Sequence, residues 1–387
     1  MKWPFRRETR SASIADPTTG TLFGIGPTTS GQIVTADTAE SLAAVYACVS
    51  TIAETIGSLP LIIYKRSDTG RERAPEHALY KLLHDAPNGI QTALEFRETL
   101  TAHMLLRGNG YAEVLFDGAG RVRELKPIHP TRVTVLKLDN GRLAYDVQDD
   151  NGRMRRLLQE EVLHLRDRSD NGLTGKSRIS VARESLGLAL AELEHGTRTF
   201  ANGTKLAGAL KLAGVMDPDA MARLRTSWGT QYAGGPNAGK VAILESGMEF
   251  QPFSMSLEDA EWIAARQMSV QEVARLFRVP PVMIGDLTHA NYSNSVEMNR
   301  WFVTHSLRRH LVAWEQAIST QLLSEDGRRT YFPEHNVEGL LRGDSANRAA
   351  FYKSGIEAGW MLPSEARQLE NLPAVEGIDD AKQPNRA

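Results

Sequence analysis

Two stretches of helical periodicity on either side of a short polar break are the strongest feature of the hydrophobic pattern. In the first stretch the apolar residues recur three, four or seven positions apart and so share one helix face: Leu257, Ala260, Ile263, Val270, Val273 and Phe277. Ser256 and Asp259 have the spacing of a capping box, and Pro280 and Pro281 cannot continue a helix. The pattern therefore predicts a helix over 256–279.

The second stretch predicts a longer helix. Its apolar residues repeat at the same spacing: Val303, Leu307, Leu311, Trp314, Ile318 and Leu322. Neither Gly nor Pro occurs between Asp286 and Asp326, and Asn294 with Glu297 can cap the first turn. A single helix over 295–323 is about 43 Å long at about 1.5 Å per residue. We expect a helix of that length to be supported by a large body.

The break between the two helices is small and polar. It consists of Asp286, Leu287, Thr288, His289, Ala290, Asn291, Tyr292, Ser293 and Asn294. One interpretation is an ordinary connector between helices. The other is a mobile loop that offers neutral hydrogen-bonding groups to a polyanion sliding past it. A ring of lysines would trap such a polymer through counterion release, and a ring of carboxylates would repel it. His289 would add positive charge at low pH.

The N-terminal half of the chain is predicted to hold one α+β unit. Asp37 with Glu40 has capping-box spacing at the start of a helix that ends at Gly57, and Thr92 with Glu95 opens a second helix. Segments of period two predict strands at 59–64, 111–116, 122–125, 132–138, 143–147 and 162–166. We expect these strands to form one antiparallel sheet.

A compact insert is predicted between two helices in the middle of the chain. Residues 179–200 have helical spacing, and a mixed segment of strands and one helix separates them from the helix at 256. Two helices that bracket an insert most simply form an antiparallel pair that carries it at one end.

The ends of the chain have weaker signals. Residues 1–36 are rich in Thr, Gly, Ser and Pro and are predicted to be a disordered arm. Beyond Leu323 we expect a turn at Asp326-Gly327, a strand at 330–332, short helices near 345–358 and 364–369, and a frayed polar tail.

Composition and charge argue against a protein that grips DNA. The 387 residues are 41% hydrophobic and 24% charged, and the net charge is −2, so no global basic surface is expected. The lone Cys48 permits no intrachain disulfide and is predicted to lie in the core. No apolar run approaches the roughly 18 residues of a membrane span, and no signal peptide follows the basic N-terminus, so we expect a chain that stays inside the cell, without a membrane partner.

One motif suggests nucleotide chemistry. Gly172-Leu-Thr-Gly-Lys-Ser177 follows a strand and precedes a helix, as a phosphate-binding loop does, but Asp170 occupies the position of the first required glycine. The alternative is a plain turn that leads into a helix capped by Ser177 or Ser180. His305 and His310 are five residues apart and cannot share a metal from one helix face. No other catalytic motif occurs, so neither an enzyme nor a cofactor is predicted.

Several short strings occur together in an order that resembles the HK97-type portal family of tailed phages and phage-derived gene transfer agents. They are Val45-Tyr-Ala-Cys-Val49, Ile56-Gly-Ser-Leu-Pro60, Gly108-Asn-Gly-Tyr-Ala112, Leu125-Lys-Pro127, His129-Pro130, Glu161-Val-Leu-His164, Asn202-Gly203, Tyr232-Ala-Gly234, Asn237-Ala-Gly-Lys240, the run Arg275 to Gly285, and Tyr292-Ser-Asn294. In the family pattern a Gly-x-Ser element also precedes the helix at 179, which accounts for Gly175-Lys-Ser177 without nucleotide. The usual proline after that serine is Arg178 here.

The resemblance implies an α+β portal fold and a division of the chain. The implied regions are a disordered arm (1–36), a wing (37–177, and 298–337 with the long helix and a strand), two stem helices (178–203 and 255–280), an α/β clip (204–254), a tunnel loop (281–297), a small helical crown (338–373) and a disordered tail (374–387). Acidic residues on the two stem helices would give a channel wall that repels DNA. They are Glu192, Glu194, Glu258, Asp259 and Glu261.

The resemblance also implies partners and a location. The chain would form a ring of about twelve copies at one vertex of the capsid, assembled in the host cytoplasm and retained in the virion. Its partners would be double-stranded DNA in the channel, the terminase large subunit, a head-tail adaptor protein and the major capsid protein. ATP hydrolysis would belong to terminase. A degenerate P-loop nucleotide-binding enzyme and a monomeric capsid adaptor or scaffold protein are the alternative functions.

Overall fold

The computed structural model describes residues 26–67, 70–201, 208–211, 217–223, 226, 249–252, 257–287, 295–337, 340, 345–370 and 372–379. Its helices include α1 (Ala36–Glu40), α2 (Ala43–Ser58), α3 (Ala78–His84), α4 (Ala93–Arg107), α5 (Arg178–Val181), α6 (Arg183–Ala201), α7 (Leu257–Phe277), α8 (Ser295–Trp301), α9 (Arg308–Leu322), α10 (Glu325–Thr330), α11 (Ser345–Glu357) and α12 (Pro363–Leu369). Its strands include β1 (Leu61–Ser67), β2 (Gly70–Arg73), β3 (Asn109–Phe116), β4 (Val122–Ile128), β5 (Val133–Lys137), β6 (Leu143–Gln148), β7 (Met154–Leu158), β8 (Val162–Arg166), β9 (Gly208–Lys211), β10 (Glu249–Pro252) and β11 (Tyr331–His335). The expected α+β class is confirmed.

The strands form several small antiparallel sheets. The orders are β11-β1-β2, β4-β3-β8 and β5-β6-β7, and β9 pairs with β10. The prediction of one antiparallel sheet in the N-terminal half is therefore wrong. A second cluster of buried residues lies between the β5-β6-β7 meander, which contributes Tyr145, Val147 and Leu157, and the β4-β3-β8 sheet, which contributes Tyr111, Ile128 and Val162. β1 pairs with β11, so Leu61 lies opposite His335. Period-two patterns indicate where strands lie but not which strands pair.

The main core is built where α2, α4 and α9 meet. Trp314 of α9 is fully buried, and its Nε1–H donates to Oγ1 of Thr101 on α4 at 3.1 Å. The Trp314 ring also meets Phe96 edge-on, with 6.1 Å between ring centroids. A buried donor without a partner costs roughly 1–3 kcal/mol, so this hydrogen bond favours one orientation of the Trp314 ring and one packing of α9 against α4. Cys48 is fully buried in the same core, as predicted, and burial raises the pKa of its thiol to about 12.

Two predicted helix boundaries are confirmed and one is wrong. Thr92 and Glu95 form the expected capping box at α4, and α7 ends before Pro280. The helix predicted from Asp37 to Gly57 is instead two helices, α1 and α2, separated at the extended residue Leu42, and α1 is capped by Thr35, whose Oγ1 accepts from the backbone N–H of Thr38 at 3.1 Å. Asp37 instead accepts from Arg107 Nη2 at 2.6 Å.

The expected turn at Asp326-Gly327 is also wrong, because both residues lie in α10. Ser324 caps this helix by accepting from the N–H of Gly327 at 3.1 Å. A serine cap followed by two acidic residues stabilises a helix start, and this outweighs the cost of one glycine.

The predicted antiparallel helix pair is present as α6 and α7. Trp262 lies against Gly196, where an added Cβ would come within 2.5 Å of the indole, and its Nε1–H donates to the carbonyl of Glu192 at 3.3 Å. Nearer the other end, Ala189 and Ser269 line the same crevice. Residue numbers thus rise along one helix as they fall along the other. The β9-β10 pair comes from the chain between these helices, as predicted.

The long helix is continuous from Ser295 to Leu322, but a π-helical segment over Phe302–Leu307 separates α8 from α9. The prediction of a long helix over 295–323 is confirmed, and the π segment was not predicted. Phe302 and Leu307 are buried on one side of this segment, while Trp301 remains 45% exposed. A π segment adds one residue to a turn, which changes the direction of the side chains that follow.

Candidate functional site

The predicted polar loop starts from an elbow between α7 and α8. Residues Thr288–Asn294 lie outside the described part of the chain, so only Asp286 and Leu287 of the predicted set can be placed. Asp286 is half-buried and Leu287 is 55% exposed. The structure also describes the two segments that flank the loop, the end of α7 and the π segment, which we call its anchors.

The first anchor is the end of α7. Arg278 has φ 58°, the left-handed conformation, and it is the one non-glycine residue with positive φ in the described part of the chain. The N–H of Val279 donates to the carbonyl of Ala274 at 2.9 Å, and the N–H of Arg278 donates to that of Arg275 at 3.1 Å. These are the two hydrogen bonds of a Schellman motif, in which glycine normally holds the left-handed position.

A short stiff segment follows the first anchor. Val279 is buried, Pro280 and Pro281 restrict the backbone, and a 3-10 turn runs over Pro281–Ile284. Gly285 ends this turn with φ 86°, a conformation that favours glycine. The chain therefore leaves α7 in a fixed direction before it reaches Asp286.

The second anchor is the π segment. The hydroxyl of Ser306 donates a hydrogen bond to the carbonyl oxygen of Arg278, and Ser306 itself is buried. The extra residue of the π turn brings a serine to this position, and the bond joins the end of α7 to the long helix. Both ends of the predicted loop are thus tied to each other below it.

A groove of about 930 Å³ lies in the elbow. Its floor is largely apolar and includes Ala274, Val279 and Trp301. Its charged lining residues are Arg275, Arg278, Asp286 and Glu297.

A buried ion pair lies behind the elbow. Asp167, at the end of β8, has a 3% exposed side chain, and Arg178 Nε donates to its Oδ2 at 2.7 Å. Arg178 Nη1 also donates to the carbonyl of Phe277 at 3.3 Å, and Nη2 lies 3.1 Å from Nε2 of His310. Arg178 therefore contacts β8, α7 and α9, three elements that are distant in sequence.

Burial and charge shift the pKa values in this cluster. Burial by itself raises the pKa of Asp167, but the hydrogen bond and charge of Arg178 outweigh it and the net pKa is lowered. Burial, with the nearby charge of Arg178, lowers the pKa of His310 to about 3. His310 is therefore neutral at pH 7, and because Arg178 donates to its Nε2, its proton lies on Nδ1.

The phosphate-loop motif forms the alternative structure, a turn that leads into a helix. Ser177 caps α5 by accepting from the N–H of Ser180 at 3.2 Å. The N–H of Gly175 donates to Oδ1 of Asn109 at 2.7 Å, and Lys176 Nζ pairs with Asp170 at 2.8 Å. The groups that would hold a phosphate are thus bonded within the chain.

The predicted channel-wall residues lie on the helix pair. Glu258, Asp259 and Glu261 belong to the first turns of α7. Glu192 accepts from the Ser269 hydroxyl at 2.9 Å across the pair, and Glu194 accepts from Gln32 Nε2 at 2.6 Å. That these acidic residues face a channel stays a prediction.

No group of three metal-ligating side chains occurs within the part of the chain that the structure describes. The described helices include none long and apolar enough to cross a membrane. The Asp167–Arg178 cluster was not predicted from the sequence. Its one signal was Arg178, which follows Ser177 at a position where the resemblance described above implies proline.

These features together define the architecture of a portal subunit. They are an α+β body, an antiparallel helix pair around an insert, an elbow at the predicted polar loop, and an unusually long helix. The chain belongs to the phage portal protein family, whose model matches residues 43–371. It is 33% identical over 345 residues to the portal protein of Enterobacteria phage HK97, covering 88% of this chain and 81% of that protein.

Two further similarities agree. The chain is 31% identical over 382 residues to the probable portal protein of Streptomyces phage phiC31, covering 94% of this chain and 82% of that one. Among solved structures, a chain from the neck of an empty gene transfer agent particle computed with C6 symmetry matches with a TM-score of 0.66, 26% identity, and coverage of 94% of this chain and 100% of that chain. The predicted family and portal fold are confirmed.

Proposed function

We propose that this portal protein forms a closed ring of about twelve copies at one capsid vertex and that double-stranded DNA passes through its centre during packaging and ejection. The observation that carries the proposal is the elbow, where two anchors fix the end of α7 and the long helix on either side of the predicted loop. Such an arrangement presents a loop from a rigid frame, as a channel constriction requires. The loop supplies shape and neutral hydrogen-bonding groups, and no bond is made or broken.

The exposed apolar residues on the helix pair support a ring. Val181 and Leu188 are 60% and 54% exposed on α5 and α6, and Ile263 and Met268 are 44% and 49% exposed on α7. Exposed apolar residues on neighbouring helices become buried when copies stand side by side. A gene transfer agent neck computed with C6 symmetry contains a similar chain, and a twelve-membered ring is compatible with that symmetry.

The regions follow from this arrangement. Residues 37–177 and 298–337 form the wing, 178–203 and 255–280 the stem helices, 204–254 the clip, 281–297 the tunnel loop and 338–373 the crown. The stem helices bring Glu258, Asp259 and Glu261 to the channel wall, where their charge keeps DNA from adhering.

The partners follow from the same arrangement. The ring docks the terminase large subunit during packaging and a head-tail adaptor afterwards, and its rim contacts the major capsid protein. It is assembled in the host cytoplasm and stays in the virion. The chain itself needs no cofactor, because terminase supplies the ATP hydrolysis.

Electron microscopy with particle averaging, combined with light scattering of the purified protein, tests the proposal. A chain of 42.7 kDa gives a ring mass of about 0.5 MDa with twelve copies, and the averaged particle has a central hole. A monodisperse protein of about 43 kDa would instead support a monomeric adaptor or scaffold function. ATP turnover that is lost in Lys176→Ala would support the enzyme alternative.

A further inference from the structure

A small cavity whose charged lining residues are mostly cationic lies behind the elbow. Its volume is about 270 Å³. The loop after β8, α5, the end of α7, the π segment and the start of α9 contribute its walls. Its cationic lining residues are Arg168, Lys176, Arg178, Arg278 and Arg309. The one carboxylate among its described lining residues is Asp167.

Carboxylates balance only part of this charge. Asp167 is engaged by Arg178, with Arg309 Nη1 a further 3.3 Å from its Oδ1. Asp170, outside the cavity lining, pairs with Lys176 at 2.8 Å and with Arg168 at 3.1 Å. Five cations against two carboxylates leave an excess of three positive charges, in a chain whose net charge is −2. The excess positive charge is therefore local to this cavity and does not reflect the charge of the whole chain.

A buried hydrogen-bond donor in the same cavity lacks a partner. His310 lines the cavity and is 1% exposed. Arg178 donates to its Nε2, so Nδ1 carries the proton, and Nδ1 has no hydrogen-bond acceptor among the described residues. A buried donor without an acceptor costs roughly 1–3 kcal/mol, so a bound acceptor would stabilise the site. Excess positive charge and an unmatched N–H both favour an oxyanion.

We propose that this cavity binds a phosphate-type oxyanion, and that in the assembled ring the ligand is a backbone phosphate of the DNA. Arg278 and His305 line both this cavity and the elbow groove, which holds Asp286 at the root of the predicted tunnel loop. A cavity that adjoins the root of a channel loop is close to the path of the DNA. This assignment of DNA as the source rests on the proposed function.

The side chains suit a weak, exchangeable contact. Arg278 and Arg309 carry guanidinium groups, which match the geometry of phosphate oxygens. Arg309 is 40% exposed, and Arg278 has no carboxylate partner among the described residues, so both can turn to a ligand. Each phosphate contact contributes about 0.9 to the salt slope of binding, so the contacts of several subunits add up and would retain a resting duplex. Because each guanidinium–phosphate contact is single and exchangeable, the force of packaging or ejection can break the contacts one at a time.

Binding of a short fluorescent DNA duplex to the purified full-length protein tests the proposal. Affinity is measured between about 50 and 200 mM salt for wild type, Arg309→Gln, and Arg278→Gln/Arg309→Gln. Arg308→Gln is the matched control, since Arg308 has the same charge one residue away and does not line the cavity. We expect the cavity variants to bind more weakly, with a salt slope flatter by about 0.9 for each arginine–phosphate pair that the substitution removes, and we expect wild-type values in the control.

The other outcomes separate the sources of the anion. Direct binding of inorganic phosphate at low millimolar concentration, measured by calorimetry and lost in Arg309→Gln, together with wild-type duplex binding by every variant, would assign the cavity to free phosphate and overturn the DNA assignment. An equal loss of DNA affinity in Arg308→Gln would overturn the site, because it would show long-range attraction only. Rings that fall apart in Arg309→Gln while the chain stays folded would show that a neighbouring copy's carboxylate fills the cavity. If the cavity variants form intact rings and bind DNA and phosphate as wild type does, this inference alone is refuted. If the wild-type protein is a monomer, the proposed function is refuted.

Discussion

The buried hydroxyl of Ser306, in the π segment, donates a hydrogen bond to the carbonyl oxygen of Arg278, the residue in left-handed conformation after α7. Two unusual backbone conformations are thus joined by one side chain. A π turn and a left-handed arginine each cost free energy, so the surrounding packing must hold both. Both conformations lie at the elbow below the predicted tunnel loop. The packing that holds them therefore also fixes the geometry of the elbow.

The left-handed conformation of Arg278 gives the first prediction. Arg278→Gly relieves a backbone cost of roughly 1–2 kcal/mol but adds unfolded-state entropy, so we expect a net rise of about 0.5–1 kcal/mol in the free energy of unfolding. Arg275→Gly, in the last turn of α7, is the matched control and should lower it by up to about 1 kcal/mol. Chemical unfolding monitored by circular dichroism distinguishes the two signs, and a destabilised Arg278→Gly would contradict the strain argument.

The buried Asp167–Arg178 pair gives the second prediction. Asp167→Asn leaves the guanidinium of Arg178 without its charged partner and should cost roughly 3–5 kcal/mol. Arg178 holds the first position of α5, where proline is well tolerated, so Asp167→Asn combined with Arg178→Pro should recover much of that loss. A double-mutant cycle of unfolding free energies measures the coupling. Costs that add to within about 0.5 kcal/mol would show that the pair is not coupled.

His310 gives a prediction for pH dependence. Burial and the charge of Arg178 lower its pKa in the folded chain to about 3, while an unfolded histidine has a pKa of about 6.5. Between these values the unfolded chain binds more protons, so stability is fully present above about pH 6.5 and is lost as the pH falls towards 3.

We therefore expect His310→Gln to flatten the decline in unfolding free energy between pH 6.5 and 4 by up to about 1.4 kcal/mol per pH unit. Urea unfolding at several pH values measures this slope. His305→Gln, which removes an exposed imidazole from the π segment, is the matched control for the substitution itself. A slope in His310→Gln equal to that of wild type would mean that His310 does not stay neutral in the fold.

The sequence predicted features that depend on neighbouring residues and missed those that depend on distant ones. The capping box of Thr92 and Glu95 is local, and it was predicted correctly. The pairing of β1 with β11 joins segments about 270 residues apart, and period-two patterns carry no information about it. Arg178 looks like an exposed helix residue in sequence, because only the fold brings Asp167, Phe277 and His310 around it.

The π segment shows a second limit. Residues Val303, Leu307, Leu311 and Trp314 keep a spacing of three to four, which both a straight α-helix and a helix with one wider turn satisfy. The extra residue is visible only when Ser306 is seen to reach Arg278. The elbow of the candidate site was therefore predicted as a position along the chain, but its two anchors were not.

The polar loop gives the last prediction, which separates length from charge. Deletion of His289–Ser293 should leave rings intact, because both anchors lie outside the deleted residues, but it should reduce DNA retention or packaging. Restoring the length with glycine and serine should recover most of that loss if the loop acts by shape and neutral contacts. Thr288→Lys with Asn291→Lys should instead slow DNA movement in a way that added salt relieves, since the new cations hold phosphates by counterion release. Packaged DNA protected from nuclease measures all three variants, and wild-type packaging by the deletion variant would mean that the loop does not contact the DNA.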